Sequence, residues 1–284
     1  MEHTKVALIT GCSDPTSLGA ALALDLLSRN WKVFATAINV DSMSALDKAG
    51  CTVFPLDVTD ESQIQEAAQI IGNKLDLLIN NAAVEGLSPL LDTDLRRLQD
   101  MFQVNVFGPL RLIQSFADAL IDSRGCIVNI GSVGIYGLPF HGAYASSKAA
   151  FQTISDVLRR ETAPMGIHVI TVELAMVMTA MLRGENPFDL QVPESLRSPH
   201  FARWYSTIAP RYRSDLVERS KKAMPASTAA QQIIDHIEKE GNKKIWIGTM
   251  AWIFRWLWPF LSTARQDQIN NDLLHVHLLK TKVD

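Results

Sequence analysis

The chain has 284 residues, 47% hydrophobic and 20% charged, and its 27 Lys plus Arg against 30 Asp plus Glu leave a formal charge of −3. This composition excludes a disordered chain. The charge balance leaves no global positive field to draw in nucleic acid or an anionic membrane.

Three widely spaced cysteines, Cys12, Cys51 and Cys126, suit a reducing compartment better than a disulfide framework or zinc cluster. A strand-like run begins at Val6 with no basic-then-apolar leader before it, so no signal peptide is expected. A cytoplasmic protein is the expectation, with membrane or lipid-droplet association as an additional one.

From residue 5 to about residue 175, apolar runs and helical patterns alternate. The strand candidates are Lys5–Thr10, Lys32–Ala37, Thr52–Leu56, Leu75–Ile79, Cys126–Ile130 and His168–Glu173. They are continuous rather than alternating, as in strands buried on both faces of a parallel sheet. Between them lie helical patterns at Leu18–Arg29, Ser42–Ala49, Glu61–Ile71, Thr93–Ile121 and Gly142–Met165. Strand, helix, strand at this spacing predicts an α/β fold with a single doubly wound parallel sheet flanked by helices, of the Rossmann type.

One domain over 1–284 is expected. Within it, 181–225 is read as a substrate-loop or lid region of short helices and loops, because five prolines punctuate 187–225. A last helix, Thr228–Glu240, precedes a strand at Lys244–Gly248. The extension 249–284 opens with Trp252-Ile-Phe-Arg-Trp-Leu-Trp-Pro-Phe-Leu261. That run falls far short of the ~20 apolar residues a membrane span needs. A peripheral membrane contact, a lid, a subunit contact and plain core packing are all open readings.

The first strand runs into Thr10-Gly-Cys-Ser-Asp-Pro-Thr-Ser-Leu-Gly19 and then a helix. Such a turn points backbone N–H groups and the positive helix end at a pyrophosphate. Gly11 permits the tight turn, Gly19 permits close helix–strand contact, and Ser17 and Thr16 can cap the helix or bind phosphate. Asp57 and Val58 close the third strand, where the carboxylate can accept from an adenine amino group. Asn81 and Ala82 follow the fourth strand at the carboxyl edge, where ligands bind in open α/β sheets.

Ser132 follows the fifth strand, and Tyr144 and Lys148 stand one helical turn apart. An ammonium close to a phenol stabilises phenolate and lowers the tyrosine pKa from its reference of about 10. Such a tyrosine can exchange a proton near neutral pH while Ser132 holds a substrate oxygen beside it.

These motifs together resemble the short-chain dehydrogenase/reductase family from residue 4 to about 180. They are Thr10-Gly11…Gly19, Asp57, Asn80-Asn81-Ala82, Asn105 in Val104-Asn-Val-Phe-Gly108, Ser132, and Tyr144-x-x-x-Lys148. More loosely, the chain is similar to the fungal NADPH-dependent 1-acyldihydroxyacetone-phosphate reductase branch.

The resemblance implies Tyr144 as general acid/base, Lys148 as its tuning residue and ribose contact, Ser132 as the carbonyl-orienting hydroxyl, and Asn105 as the holder of a relay water. It implies cofactor contacts from Gly11, Ser13, Asp14, Ser17, Leu18, Gly19, Asn39, Asp57, Val58, Asn81, Ala82, Val177 and Thr179, besides Tyr144 and Lys148. A homo-oligomer, dimer or tetramer, is implied as well.

Four departures lie along the cofactor trough. The glycine loop is two residues longer than TGxxxGxG, with Ser17 at the middle glycine. The second strand ends Ala37-Ile38-Asn39, with neither the Arg of an NADP-specific relative nor the Asp of an NAD-specific one. Asp14 would repel a 2′-phosphate that it faced. Leu174-Ala175 replaces the usual Pro-Gly, and Ser132 lies one residue nearer Tyr144 than usual. The branch resemblance favours NADP(H) slightly over NAD(H).

Aromatic residues at Tyr136, Phe140, Phe188, Phe201, Trp204 and Tyr205 predict a small hydrophobic substrate, lipid-like or a secondary metabolite. His141 reads as a solvated loop residue or a substrate contact, and Arg203, Arg211 and Arg213 as a solvated surface or an acid-binding group. The expected reaction is reduction of a ketone to a secondary alcohol with NAD(P)H, or its reverse. The alternatives are a non-redox isomerase, dehydratase or cyclase on the same scaffold, and a membrane-peripheral binding protein.

Overall fold

Apolar runs that do not alternate become strands covered on both faces. In the computed structural model, residues 4–183, 185, 188, 190, 191, 193–239 and 244–279 are described. Among them, β1 (Val6–Ile9), β2 (Lys32–Ala37), β3 (Thr52–Pro55), β4 (Leu77–Asn80), β5 (Cys126–Ile130), β6 (His168–Leu174) and β7 (Lys244–Ile247) form one parallel sheet. Its order is β3-β2-β1-β4-β5-β6-β7. The chain reverses direction across the sheet between β1 and β4, which opens a crevice at their carboxyl ends.

The pleat sends neighbouring residues to opposite layers. Ala7 and Ile9 of β1 join a core with Leu22 and Leu26 of α1 (Leu18–Ser28) and with Ile233 and Ile234. Leu8 joins the other core, with Phe34, Leu78, Leu112 and Phe116. Helices α2 (Ser44–Ala49) and α3 (Glu61–Ile71) complete the first half, and a 3₁₀ turn over Val40–Met43 takes the place of the first residues expected for α2.

The helix expected over Thr93–Ile121 is broken into pieces. They are α4 (Leu95–Phe102), a π turn over Gln103–Phe107, α5 (Gly108–Ser115) and α6 (Ala117–Ser123). Two causes are visible. Pro109 has no N–H to offer the Asn105 carbonyl. The Asn105 amide is clamped outside the helix, accepting from Val84 N at 2.9 Å and donating to Val84 O at 2.9 Å and Ser147 Oγ at 3.0 Å.

The long α7 (Gly142–Thr162) follows β5, and β6 runs to Leu174 rather than ending at Glu173. With Leu174-Ala175 in place of Pro-Gly, nothing interrupts the ladder: Leu174 pairs with Ile247 and Ala175 N donates to Ile247 O at 2.8 Å.

The 181–225 region carries 3₁₀ turns at Glu194–Leu196 and Pro199–Phe201, a π turn at Trp204–Ile208, and α8 (Ala209–Ser220). Gly184, Asn186, Pro187, Asp189 and Val192 of this region lie outside the described residues. Then come α9 (Ala226–Lys239), β7, α10 (Ala251–Trp256) and α11 (Thr263–Leu273). Glu240, expected to end α9, and 280–284 of the extension also lie outside the described residues.

One face of the aromatic extension packs inward. Tyr136 stacks on Phe254 at 5.4 Å between ring centroids and lies 5.8 Å from the Trp258 ring. Asn270 Nδ2 donates to the Tyr136 and Gly137 carbonyls, each at 3.4 Å. The other face leaves Trp252, Trp256 and Phe260 exposed. Among the described residues no helix is long and apolar enough to cross a membrane.

The extension therefore braces the loop after β5. Trp258→Ala should speed amide hydrogen exchange over residues 133–137 while leaving β1, β4 and β5 protected. Unchanged exchange in that loop would show that the extension does not brace it.

Candidate active site

The glycine loop is shaped by contacts that a side chain would destroy. Gly11 has φ +74°, and a Cβ there would lie 2.8 Å from the Ala82 backbone. A Cβ on Gly19 would lie 2.6 Å from the Gly11 carbonyl oxygen. Asn81 ties the two strand ends together, its Nδ2 donating to Thr10 O at 2.8 Å and Gly11 O at 3.1 Å. Thr10 Oγ1 accepts from Asn81 N and Ala82 N at 3.1 and 3.0 Å. Ser17 caps α1, its Oγ accepting from Ala20 N at 3.1 Å. A bare backbone loop against a capped helix start is the cradle a dinucleotide pyrophosphate needs, so these residues fit such a cofactor.

The remaining cofactor candidates divide by where their side chains go. Leu18, Val58 and Val177 are buried in the apolar cores, so only their backbone can serve a cofactor. Ser13 and Asn39 are exposed, and Asn39 caps the 3₁₀ turn by accepting from Asp41 N at 3.0 Å. Asp57 Oδ1 accepts from Thr59 N and Thr59 Oγ1 at 2.9 and 2.8 Å. Thr179 Oγ1 accepts from Leu182 N at 3.3 Å, starting the turn that leads into the lid.

Asp14 departs from its sequence reading. Its carboxylate is not a bare negative charge at the trough. Oδ1 accepts from Thr16 N and Thr16 Oγ1 at 2.6 and 2.7 Å, and Oδ2 lies 3.5 Å from the Arg183 guanidinium. Arg183 comes from the lid and also donates to Thr16 Oγ1 at 3.1 Å. No local pattern signals this bridge, since Arg183 and Asp14 are joined only by the fold.

At the chemical end, Ser132 is extended and caps the turn Val133–Tyr136, its Oγ accepting from Gly134 N at 3.0 Å. Gly134 lies against the Tyr144 ring, where a Cβ would come within 3.1 Å of both Ser132 Oγ and Tyr144 Cε1. Tyr144 and Lys148 are 7% and 4% exposed, so both sit in the floor of the site rather than on a helix surface. Lys148 Nζ lies 5.9 Å from the Tyr144 ring centroid and donates to Ile130 O at 2.9 Å.

Electrostatics here run opposite to the sequence expectation for the tyrosine. Burial pushes the phenol up, the charges of Glu85 and Glu173 push it further, and only the neighbouring Ser132 hydroxyl opposes them. Burial brings the Lys148 ammonium down to about 8, against the raising influence of Glu173 and Glu85. The ordinary lysine–tyrosine argument fails in the free chain because loss of water, helped by two carboxyls, governs the phenol.

Three groups in this site went unread in the sequence or were read otherwise. Glu173 is 1% exposed, and neither carboxylate oxygen has a hydrogen-bond partner. Lys244 Nζ lies 3.6 Å from it, and burial raises its carboxyl to about 7. Glu85 is likewise raised to about 7 by burial. His141 is not solvated; it is 4% exposed, its Nε2 meets Tyr212 Oη at 3.1 Å, and burial lowers it to about 4. An acidic residue inside an apolar strand, as in His168-Val-Ile-Thr-Val-Glu173, was the one available signal for Glu173. Arg203, Arg211 and Arg213 are exposed, as read.

The sequence pattern of the short chain dehydrogenase family matches residues 5–189. A short-chain dehydrogenase of Neurospora crassa, srdE, is 32% identical over 289 residues, covering 100% of this chain and 96% of that protein. The NADPH-dependent 1-acyldihydroxyacetone phosphate reductase of Schizosaccharomyces pombe is 39% identical over 184 residues, 63% of this chain and 62% of that one. Among solved structures, a short-chain dehydrogenase from Streptomyces avermitilis superposes with a TM-score of 0.77 at 27% identity, covering 98% of this chain and 99% of that one.

Glu173 holds its proton in the folded chain up to about pH 7, against 4.5 for an ordinary Glu. The folded state therefore binds the extra proton, and stability falls as pH rises through that window. Thermal melts should show the wild-type chain losing stability relative to Glu173→Gln between pH 4.5 and 7. Parallel pH curves for the two would contradict the burial argument.

Proposed function

The chain belongs to the short-chain dehydrogenase/reductase family of NAD(P)-dependent oxidoreductases, and from that premise we propose that it reduces the ketone of a hydrophobic substrate to a secondary alcohol, or runs the reverse. The observation that carries this reading is the buried Tyr144 ring lying beside Ser132 across Gly134, with Lys148 one helical turn beyond. Two hydroxyls side by side at the end of β5 can both donate to one carbonyl oxygen and polarise it. When bound, the nicotinamide cofactor supplies or accepts the hydride.

Tyr144 then gives its proton to the oxygen as it becomes an alcohol. A phenol held high by burial stays protonated across the physiological range, which suits the donor role. Lys148, with its ammonium at about 8, is the nearest group able to return the proton. Asn105 fixes the Val84 backbone against Ser147 of α7 and so holds the wall of the site.

Backbone groups from Gly11 to Gly19 are assigned to the pyrophosphate, Asp57 to the adenine, Asn81 and Ala82 to the ribose side, and Val177 and Thr179 to the carboxamide. NADP(H) is preferred over NAD(H). The S. pombe relative is named as NADPH-dependent, and Arg183 compensates the Asp14 charge that would otherwise disfavour a 2′-phosphate.

Tyr144→Phe should lower ketone reduction by on the order of 10²–10⁴-fold while NADPH still binds, as read by quenching of protein fluorescence. Unchanged turnover in that variant would refute the assignment of Tyr144.

A further inference from the structure

Glu85 stands in the loop that leaves β4, four residues beyond Asn81, on the same edge of the sheet as Ser132 and Tyr144. Its loop is clamped by the lid. Glu85 O accepts from Phe188 N at 3.0 Å, and Gly86 lies so close to the Phe188 carbonyl oxygen and the Leu190 side chain that no Cβ fits. The wall around it is apolar, with Met101, Ala143 and Leu190 packed beside Val84, Phe188 and the Tyr144 ring.

Beside that wall Glu85 is half-buried, with 23% of its side-chain surface open. The carboxylate is therefore not fully enclosed by its own chain. Glu85 Oε1 is 3.5 Å from His141 Nδ1, too long for a good hydrogen bond. His141 is held from its other side by Tyr212 of α8 and is neutral at physiological pH. Val84, the neighbour of Glu85, packs in the same cluster as the Tyr144 ring, and the charge of Glu85 acts on Tyr144, Lys148 and Tyr212.

A carboxylate offers about four acceptor positions, and desolvating one without giving it donors is costly. We propose that Glu85 forms a recognition subsite for a hydrogen-bond donor, an ammonium or a hydroxyl, carried by the substrate on an otherwise apolar body. The substrate class is thereby narrowed from hydrophobic ketones to hydrophobic ketones bearing one donor group. This rests on the reading of Ser132 and Tyr144 as the carbonyl site. A donor arriving at the subsite completes the acceptors that the protein leaves open, so the gain is specific to donor-bearing ligands.

The test is calorimetric titration of the full chain with NADPH present at pH 8. The probes are acetophenone, 4-hydroxyacetophenone and 4-(aminomethyl)acetophenone. At least one donor-bearing probe should bind about tenfold more tightly than acetophenone, and whichever gains more identifies hydroxyl or ammonium as the partner. Glu85→Gln should remove the ammonium advantage, and Glu85→Met the advantage of both, with acetophenone and NADPH binding unchanged.

Equal binding of the three probes, absence of binding by the donor-bearing ones, or an equal loss for all three in the variants would overturn the subsite. Turnover of the probes is recorded alongside. Donor preference without any reduction would sink the reductase reading and leave the subsite standing.

Discussion

Loss of water around one lysine and one tyrosine is the constraint on which the rest of the structure depends. Lys148 and Tyr144 are placed in a dry floor between the sheet and α7, and each is driven toward its neutral form. An isolated buried ammonium would be costly. Here it is met by the Ile130 carbonyl and by the fields of two buried carboxyls, Glu85 and Glu173. Those carboxyls are themselves pushed to about 7 by burial.

That floor exists because the sheet is parallel and covered on both faces. Parallel strands bring the ends of β1, β4, β5 and β6 to one edge, and the reversal between β1 and β4 opens the crevice there. The loop glycines let backbone approach backbone at one end of the crevice. At the other, Gly134 lets the turn after β5 lie flat on the Tyr144 ring, and the aromatic extension braces that turn through Tyr136. Arg183 closes the outer side by joining the lid to the glycine loop. The glycine loop, the Tyr144 floor and the Arg183 turn are thus one connected structure, which suits a family whose chemistry is carried by a bound nicotinamide.

Much of this was legible in the sequence because it is written in local patterns. Continuous apolar runs gave β2 and β5 to the residue, and the Tyr144–Lys148 spacing gave one helix face. The break in the helix expected over Thr93–Ile121 was half legible: Pro109 stands in the sequence, but the other cause, Asn105 reaching Val84 and Ser147, is made only after folding. Burial was hidden as well. His141 looks like a polar loop residue until Tyr212, 71 positions away, packs over it. The direction of the Tyr144 shift could not be read from spacing, because spacing reports the nearby ammonium but not the missing water. Asp14 misled for the same reason, its partner Arg183 lying on a lid whose course no periodicity reveals.

The most direct measurement is a pH titration of the Tyr144 phenol in the free chain, followed by NMR of tyrosine labelled with ¹³C at Cζ and assigned with Tyr144→Phe. Burial predicts that Tyr144 stays protonated above the ordinary phenol value of about 10. Titration of that resonance at or below the ordinary value would show that the ammonium, not the loss of water, governs the site.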